Sequence, residues 1–320
     1  MSLRGRLPTL RKLFCTTARR RNSEASASEA CAEIVERFHN KPISVRKQVL
    51  DANQLHLLNI TLNRCPTSFD APSDGTPIPA GHHLVYFTPS IIEDELGKDG
   101  TDKTVNPVHP YTRRMWAGGE MNWTQDEVSL LRVGQEIQET TKLTSAVPKQ
   151  LKNGGQMLLV GVEKTFENNK GVALVDKRNW VFQPELQDTK VPQLPEAQPL
   201  PPAEHFRDFK QTPTSLFRFS ALTFNAHKIH YLPEWCREVE GHCDAVVHGP
   251  LNLINMLDLW RDKTKYGGLE AMPKSISYQA RSPLYVKHDY RITLEGADTE
   301  WRTSIWDQFG RKSMTGRILG

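Results

Sequence analysis

Between residues 184 and 202 the chain reads PELQDTKVPQLPEAQPLPP, six prolines in nineteen residues. Each proline fixes φ and removes a backbone donor, so the stretch favours extended, semi-rigid chain over a helix or an inner strand. Whatever folds must be completed on either side of it. Residues 184–202 are therefore expected to be a linker between two comparable halves, about 30–183 and 203–320, each long enough for a hydrophobic core. No close internal repeat relates the halves.

In the first half, residues 31–63 read as helical and polar, with Val45, Val49, Leu55 and Leu58 supplying apolar positions. GHHLVYF at 81–87 is a short apolar run, and YTRRMWAGGEMNW at 111–123 places aromatic and basic groups around an expected Gly118-Gly119 turn. Three stretches rich in Val, Thr and aromatics follow, at 135–149, 156–168 and 171–182, separated by Asn/Gly turns; they predict an antiparallel meander. In the second half, SLFRFSALTF at 215–224 is strand-like by its aromatics. A helix is expected to begin at Pro250, because proline suits the first helical turn. Leu251, Leu253, Ile254, Met256, Leu257 and Leu259 make it apolar on most sides and hence buried. Four segments with partial period-two alternation close the chain. The class predicted is α+β.

Forty-one Lys and Arg face 37 Asp and Glu. Much of the excess lies in Arg4, Arg6, Arg11, Lys12, Arg19, Arg20 and Arg21, with Ser and Thr between and no acidic residue before Glu24. That composition predicts a mitochondrial presequence and disordered tail over 1–29, cleaved between Phe14 and Ser23, and a matrix location. The remainder makes no case for nucleic-acid binding. Five cysteines without a CxxC pair indicate neither a disulfide framework nor a zinc cluster. No apolar run is long enough for a bilayer span, and the glycine-rich turns lack the setting of a nucleotide-binding loop.

Two segments carry chemistry: FRFSALTFNAHKIHY at 217–231 and VVHGPLNLINML at 246–257. Imidazole titrates near working pH, which makes His230 the candidate acid/base. Gly249, at the head of a buried helix, can offer an unobstructed N–H backed by the helix dipole, so His248-Gly249 is a candidate oxyanion corner.

With RRMWAGG at 113–119, these motifs resemble the hot-dog-fold hydratase 2 and MaoC-like dehydratase superfamily. Within it they are similar to the fungal mitochondrial 3-hydroxyacyl-thioester dehydratase type 2 group and to mesaconyl-C4-CoA and itaconyl-CoA hydratases. The resemblance implies a double hot-dog of two antiparallel sheets, each wrapped around a central helix, over roughly residues 30–320. The repeat at 203–320 would be catalytic and the degenerate repeat at 30–183 would shape the acyl pocket.

Residue by residue, the superfamily's catalytic histidine falls on His230 and its aspartate, five residues earlier, on Asn225. An amide cannot take a proton, so Asn225 would orient water or hydroxyl while His230 carries the proton. Leu232 stands where an acidic residue is usual. The resemblance further implies substrate-binding roles for His227, His248, Arg113, Arg114 and Trp116, the last three toward CoA. It implies reversible dehydration of (3R)-hydroxyacyl thioesters to trans-2-enoyl thioesters in mitochondrial fatty acid synthesis, without metal or redox cofactor. The acyl group would arrive on acyl carrier protein or CoA, and the protein could be a homodimer. Two other readings stay open: hydration of a short dicarboxylic enoyl-CoA, and a non-catalytic acyl-thioester binding subunit.

Overall fold

The computed structural model describes residues 25–64, 70–151, 154–264 and 271–320. The expected presequence cleavage region therefore lies outside the described residues. Helix α1 (Ala27–Arg37) takes in residues 27–29, expected to belong to the tail, because Ser26 and Glu29 cap one another's backbone N–H groups.

The expected long helix over 31–63 is split. Strand β1 (Ser44–Val49) lies between α1 and α2 (Ala52–Thr61). Pro42 ends helical continuity, and the strand alternates half-buried with exposed residues, so Val45 and Val49 face outward. The expected Gly118-Gly119 turn is instead the middle of β2 (Arg113–Trp123). Side chains there would collide with the backbone of Tyr278 at Gly118 and of Lys177 at Gly119, so the glycines let β2 sit tightly between its neighbours. The meander follows as expected: β3 (Glu136–Gln150), β4 (Gln156–Asn168) and β5 (Gly171–Gln183).

In the second half, β6 (His205–Lys210) precedes a departure from expectation: the aromatic run is helix α3 (Pro213–Leu222), not a strand. Thr212 caps the Ser215 N–H, and proline occupies the first turn. Leu216, Phe219 and Ser220 are buried at helical spacing while Phe217 is exposed, so period 3.6 overrides aromatic β-propensity. A short helix α4 (Pro233–Glu238) leads to α5 (Gly249–Lys263), on which every residue from Leu251 to Arg261 is buried. Strands β7 (Ser275–Ala280), β8 (Asp289–Ala297), β9 (Glu300–Asp307) and β10 (Lys312–Leu319) complete the chain.

The strands form one antiparallel sheet in the order β1-β3-β4-β5-β2-β7-β10-β9-β8-β6. Five come from each half, and the seam is β2 against β7, with Gly119 opposite Tyr278. This is the double hot-dog, its two sheets joined edge to edge, with α5 as the central helix of the second. Near the seam the first half presents a 3-10 turn (His82–Val85), whose buried His82 Nε2 lies 3.0 Å from Asp258 of α5. The halves therefore share one core.

Candidate active site

Helix α3 ends at Leu222, and the chain reverses through Phe224 at φ 47°. The Asn225 N–H then bonds back to Ser220 O at 2.8 Å, and Asn225 Oδ1 accepts the His227 N–H at 3.1 Å. This local bonding, typical of asparagine in turns, aims a 3-10 turn (Lys228–His230) into the protein. His230 Nδ1 lies 2.8 Å from the Val246 carbonyl. A carbonyl only accepts, so Nδ1 carries the proton and the neutral ring keeps Nε2 as its lone-pair atom.

Val246 precedes the start of α5 by three residues, so the same segment delivers His248 and Gly249. The His230 and His248 rings stack at 3.6 Å between centroids and 19° between planes. His227 meets His230 edge to face at 5.5 Å. His248 Nε2 is 2.9 Å from Ser220 Oγ, while its buried Nδ1 has no hydrogen-bond partner among the described residues. Burial pushes His230 down to about 4, against the raising effect of the Val246 bond. Burial holds His227 and His248 well below the ordinary range, reinforced by the neighbouring histidines. All three rings are therefore neutral at physiological pH.

Gly249 opens α5 with Pro250 behind it. A Cβ there would lie 2.5 Å from Trp116 Cε3, so glycine permits the β2 indole to lie against the helix start. Trp116 in turn meets Tyr278 edge to face at 5.4 Å. The structure thus brings Asn225, His227, His230, His248, Gly249 and Trp116 into one neighbourhood. The two arginines are different: Arg113 Nε is 2.8 Å from the buried Glu240 carboxylate, and Arg114 donates to the Asp102 carbonyl and lies over Trp180. Both guanidinium groups are engaged by the protein.

Sequence reasoning missed Ser220, Val246, Asp99 and Tyr278. Ser220 would have been found by reading 213–222 as a helix one turn ahead of Asn225. No local signal marks the others. Among the described residues, no group of three or more His, Cys, Asp or Glu is placed to hold a metal ion, and no helix is long and apolar enough to cross a membrane.

The first half adds a charged band on its sheet face. Glu139 pairs with Arg46 at 2.8 Å and Lys164 at 3.1 Å. Asp176 pairs with Arg178, at 2.8 Å to Nε, and lies 3.5 Å from His83. The band separates an apolar cluster around Phe166 and Leu174 from another around Leu158, Val160 and Phe182. Three cations against two carboxylates leave it one positive charge in excess.

Residues 81–286 match the family model for hydroxyacyl-thioester dehydratase type 2. Among curated proteins, mesaconyl-C(4)-CoA hydratase of Chloroflexus aurantiacus is 29% identical over 224 residues, covering 69% of this chain and 76% of its own. The mitochondrial hydroxyacyl-thioester dehydratase type 2 of Schizosaccharomyces pombe is 22% identical over 246 residues, covering 71% and 80%. Among solved structures, a MaoC-like dehydratase from Phytophthora capsici superposes with a TM-score of 0.64 at 15% identity, covering 89% of this chain and 98% of its own.

Proposed function

Because the chain belongs to the hydroxyacyl-thioester dehydratase type 2 family, a group of hydro-lyases, we propose that it removes water reversibly from (3R)-hydroxyacyl thioesters to give trans-2-enoyl thioesters. The observation that carries this reading is the tautomer of His230. Its Nδ1–H is held by the Val246 carbonyl, which leaves Nε2 free as a neutral base. In dehydration Nε2 takes the C2 proton, made acidic by the thioester carbonyl. The C3–O bond breaks as C2=C3 forms, and the proton leaves with the hydroxyl as water. Asn225 orients that hydroxyl, and the Gly249 N–H at the positive end of α5 stabilises charge on the thioester oxygen. His248 backs the base, and Trp116 seats the helix start.

Mitochondrial fatty acid synthesis, with the acyl group carried as a thioester on acyl carrier protein, is the setting we assign. The basic N-terminal composition and the mitochondrial S. pombe relative support it. The test is hydration of short, medium and dicarboxylic trans-2-enoyl-CoA by protein lacking the basic N-terminal segment, with chiral analysis of the product. A (3R)-alcohol, lost in His230→Ala while the fold survives, is the expected result. Binding without turnover of any thioester would overturn it in favour of a binding subunit.

The charged band favours a second reading, a substrate whose acyl chain ends in a carboxylate. Long alkyl chains gain nothing from Lys164 or Arg178, whereas a carboxylate does. Lys164→Gln keeps Arg46 as the partner of Glu139. It should lower kcat/KM for dicarboxylic substrates about 10-fold, the order of one lost charged contact, and leave trans-2-butenoyl-CoA unchanged. Equal effects on both would remove this reading.

A further inference from the structure

A loop of the first half covers the catalytic turn of the second. Residues Gly97–Thr101 close on themselves through Gly97 N–H to Thr101 O and Gly100 N–H to Gly97 O, both 2.8 Å. Gly100 has φ +82°, and a side chain there would collide with the Ala226 carbonyl oxygen, so loop and turn meet backbone to backbone. Lys228 N–H donates to Asp99 O at 2.8 Å, and Lys228 Nζ donates to Lys98 O at 2.6 Å. This docking places Asp99 Oδ2 3.5 Å from His227 Nε2, with 13% and 11% of the two side chains exposed.

We propose that Asp99 is a positioning residue of the site, supplying from the first half the carboxylate that the second half lacks at Asn225 and Leu232. The inference rests on the hydro-lyase reading above. Among the described residues no other carboxylate oxygen lies within 4 Å of a ring nitrogen of His227, His230 or His248. At 3.5 Å the pair is in contact without a formed hydrogen bond; because a carboxylate only accepts, it favours the tautomer with the proton on Nε2 and Nδ1 as that ring's acceptor. The charged and titratable groups facing His227 are Asp99, Arg114 of β2, His230 of its own turn, and His242 beyond α4. Three of these are basic. When His230 takes up a proton during turnover, Asp99 is the anion that offsets the new charge through the intervening ring.

A purely local role for Asp99 also exists, since Oδ1 accepts from Thr101 N at 3.0 Å and Thr101 Oγ1 at 2.8 Å. Asp99→Asn separates the two roles. The amide keeps an oxygen for the Thr101 turn but replaces the carboxylate oxygen facing His227 with a donor. The experiment measures kcat, KM and the pH dependence of enoyl-CoA hydration for wild type, Asp99→Asn and Asp99→Glu, with 15N shifts of the His227 ring nitrogens.

The expected result for Asp99→Asn is a kcat lowered about 10-fold and a KM within about twofold. Its acid limb should move to lower pH, because the imidazolium has lost its counter-charge, and the His227 tautomer should be reversed. Asp99→Glu should recover part of kcat. Unchanged kcat, pH profile and tautomer in Asp99→Asn would overturn the proposal. If wild type itself turns over no thioester, the hydro-lyase reading fails instead, and the 15N shifts still decide whether Asp99 holds His227.

Discussion

The imidazoles of His230 and His248 lie face to face, their centroids 3.6 Å apart. Two such rings cannot both carry charge, and burial already disfavours charge on either. Ser220 holds His248 from one side and Val246 holds His230 from the other. The stack is therefore a neutral pair in which Nε2 of His230 keeps a free lone pair, and its consequences are measurable.

The first is loss of stability in mild acid. An unfolded histidine protonates near pH 6.5, whereas His230 resists to about 4. Below 6.5 the unfolded state binds more protons, so stability is full above that pH and lost as pH falls toward 4. His230 alone accounts for about 3 kcal/mol at the low end, and His227 and His248 act in the same direction. Thermal melts should show a clear fall in Tm from pH 7.5 to 5. Asp176 and Asp258, held down at about 2, stay ionised across that window. A flat Tm would contradict neutral burial of the stack.

Ser220 should matter to stability although it performs no chemistry. Ser220→Ala removes the partner of His248 Nε2, leaving a buried ring with neither nitrogen bonded among the described residues. The expected cost is about 1–3 kcal/mol by urea unfolding. A neutral result would mean that the ring finds another partner.

Gly249 and Trp116 should be coupled. Gly249→Ala puts a methyl group into the indole and should destabilise by about 1–3 kcal/mol, lowering kcat as the start of α5 shifts. In a Trp116→Leu background the same substitution has room, so the double-mutant cycle should show an interaction above about 0.5 kcal/mol. Strict additivity would place the strain elsewhere.

Asp258 should hold the halves together. It meets His82 of the first half at 3.0 Å, Arg261 of its own helix at 2.6 Å, and Arg64 at 3.4 Å. Asp258→Ala strands these groups at an expected cost of about 3–5 kcal/mol. Because β2 and β7 share hydrogen bonds, calorimetry should show one unfolding transition for both halves in wild type. Two separate transitions would mean that the seam is weaker than its pairing indicates.

Much of this protein is determined by local sequence. The proline-rich break, the strands at 136–150, 156–168 and 171–183, and the buried helix after HGP all follow from periodicity, turn residues and the special backbone of proline and glycine. His230 and Gly249 stand out because a histidine-bearing turn and an HGP segment lie ahead of an apolar helix, whereas Asn225 is singled out by the resemblance of residues 217–231 to the hydratase motif. Other features were decided only by the assembled fold. The aromatic run at 215–224 has strand propensity, and it becomes helix α3 because capping by Thr212 and burial of Leu216 and Phe219 outweigh that preference. Gly118 and Gly119 spell a turn, and they become strand because two neighbours close on them. The partners of the histidines, Val246 for His230 and Asp99 for His227, lie 16 and 128 positions away. Such pairings are set by which elements share a core, and a one-dimensional pattern carries only the periodicities that bury each element, not the contacts made once they are buried.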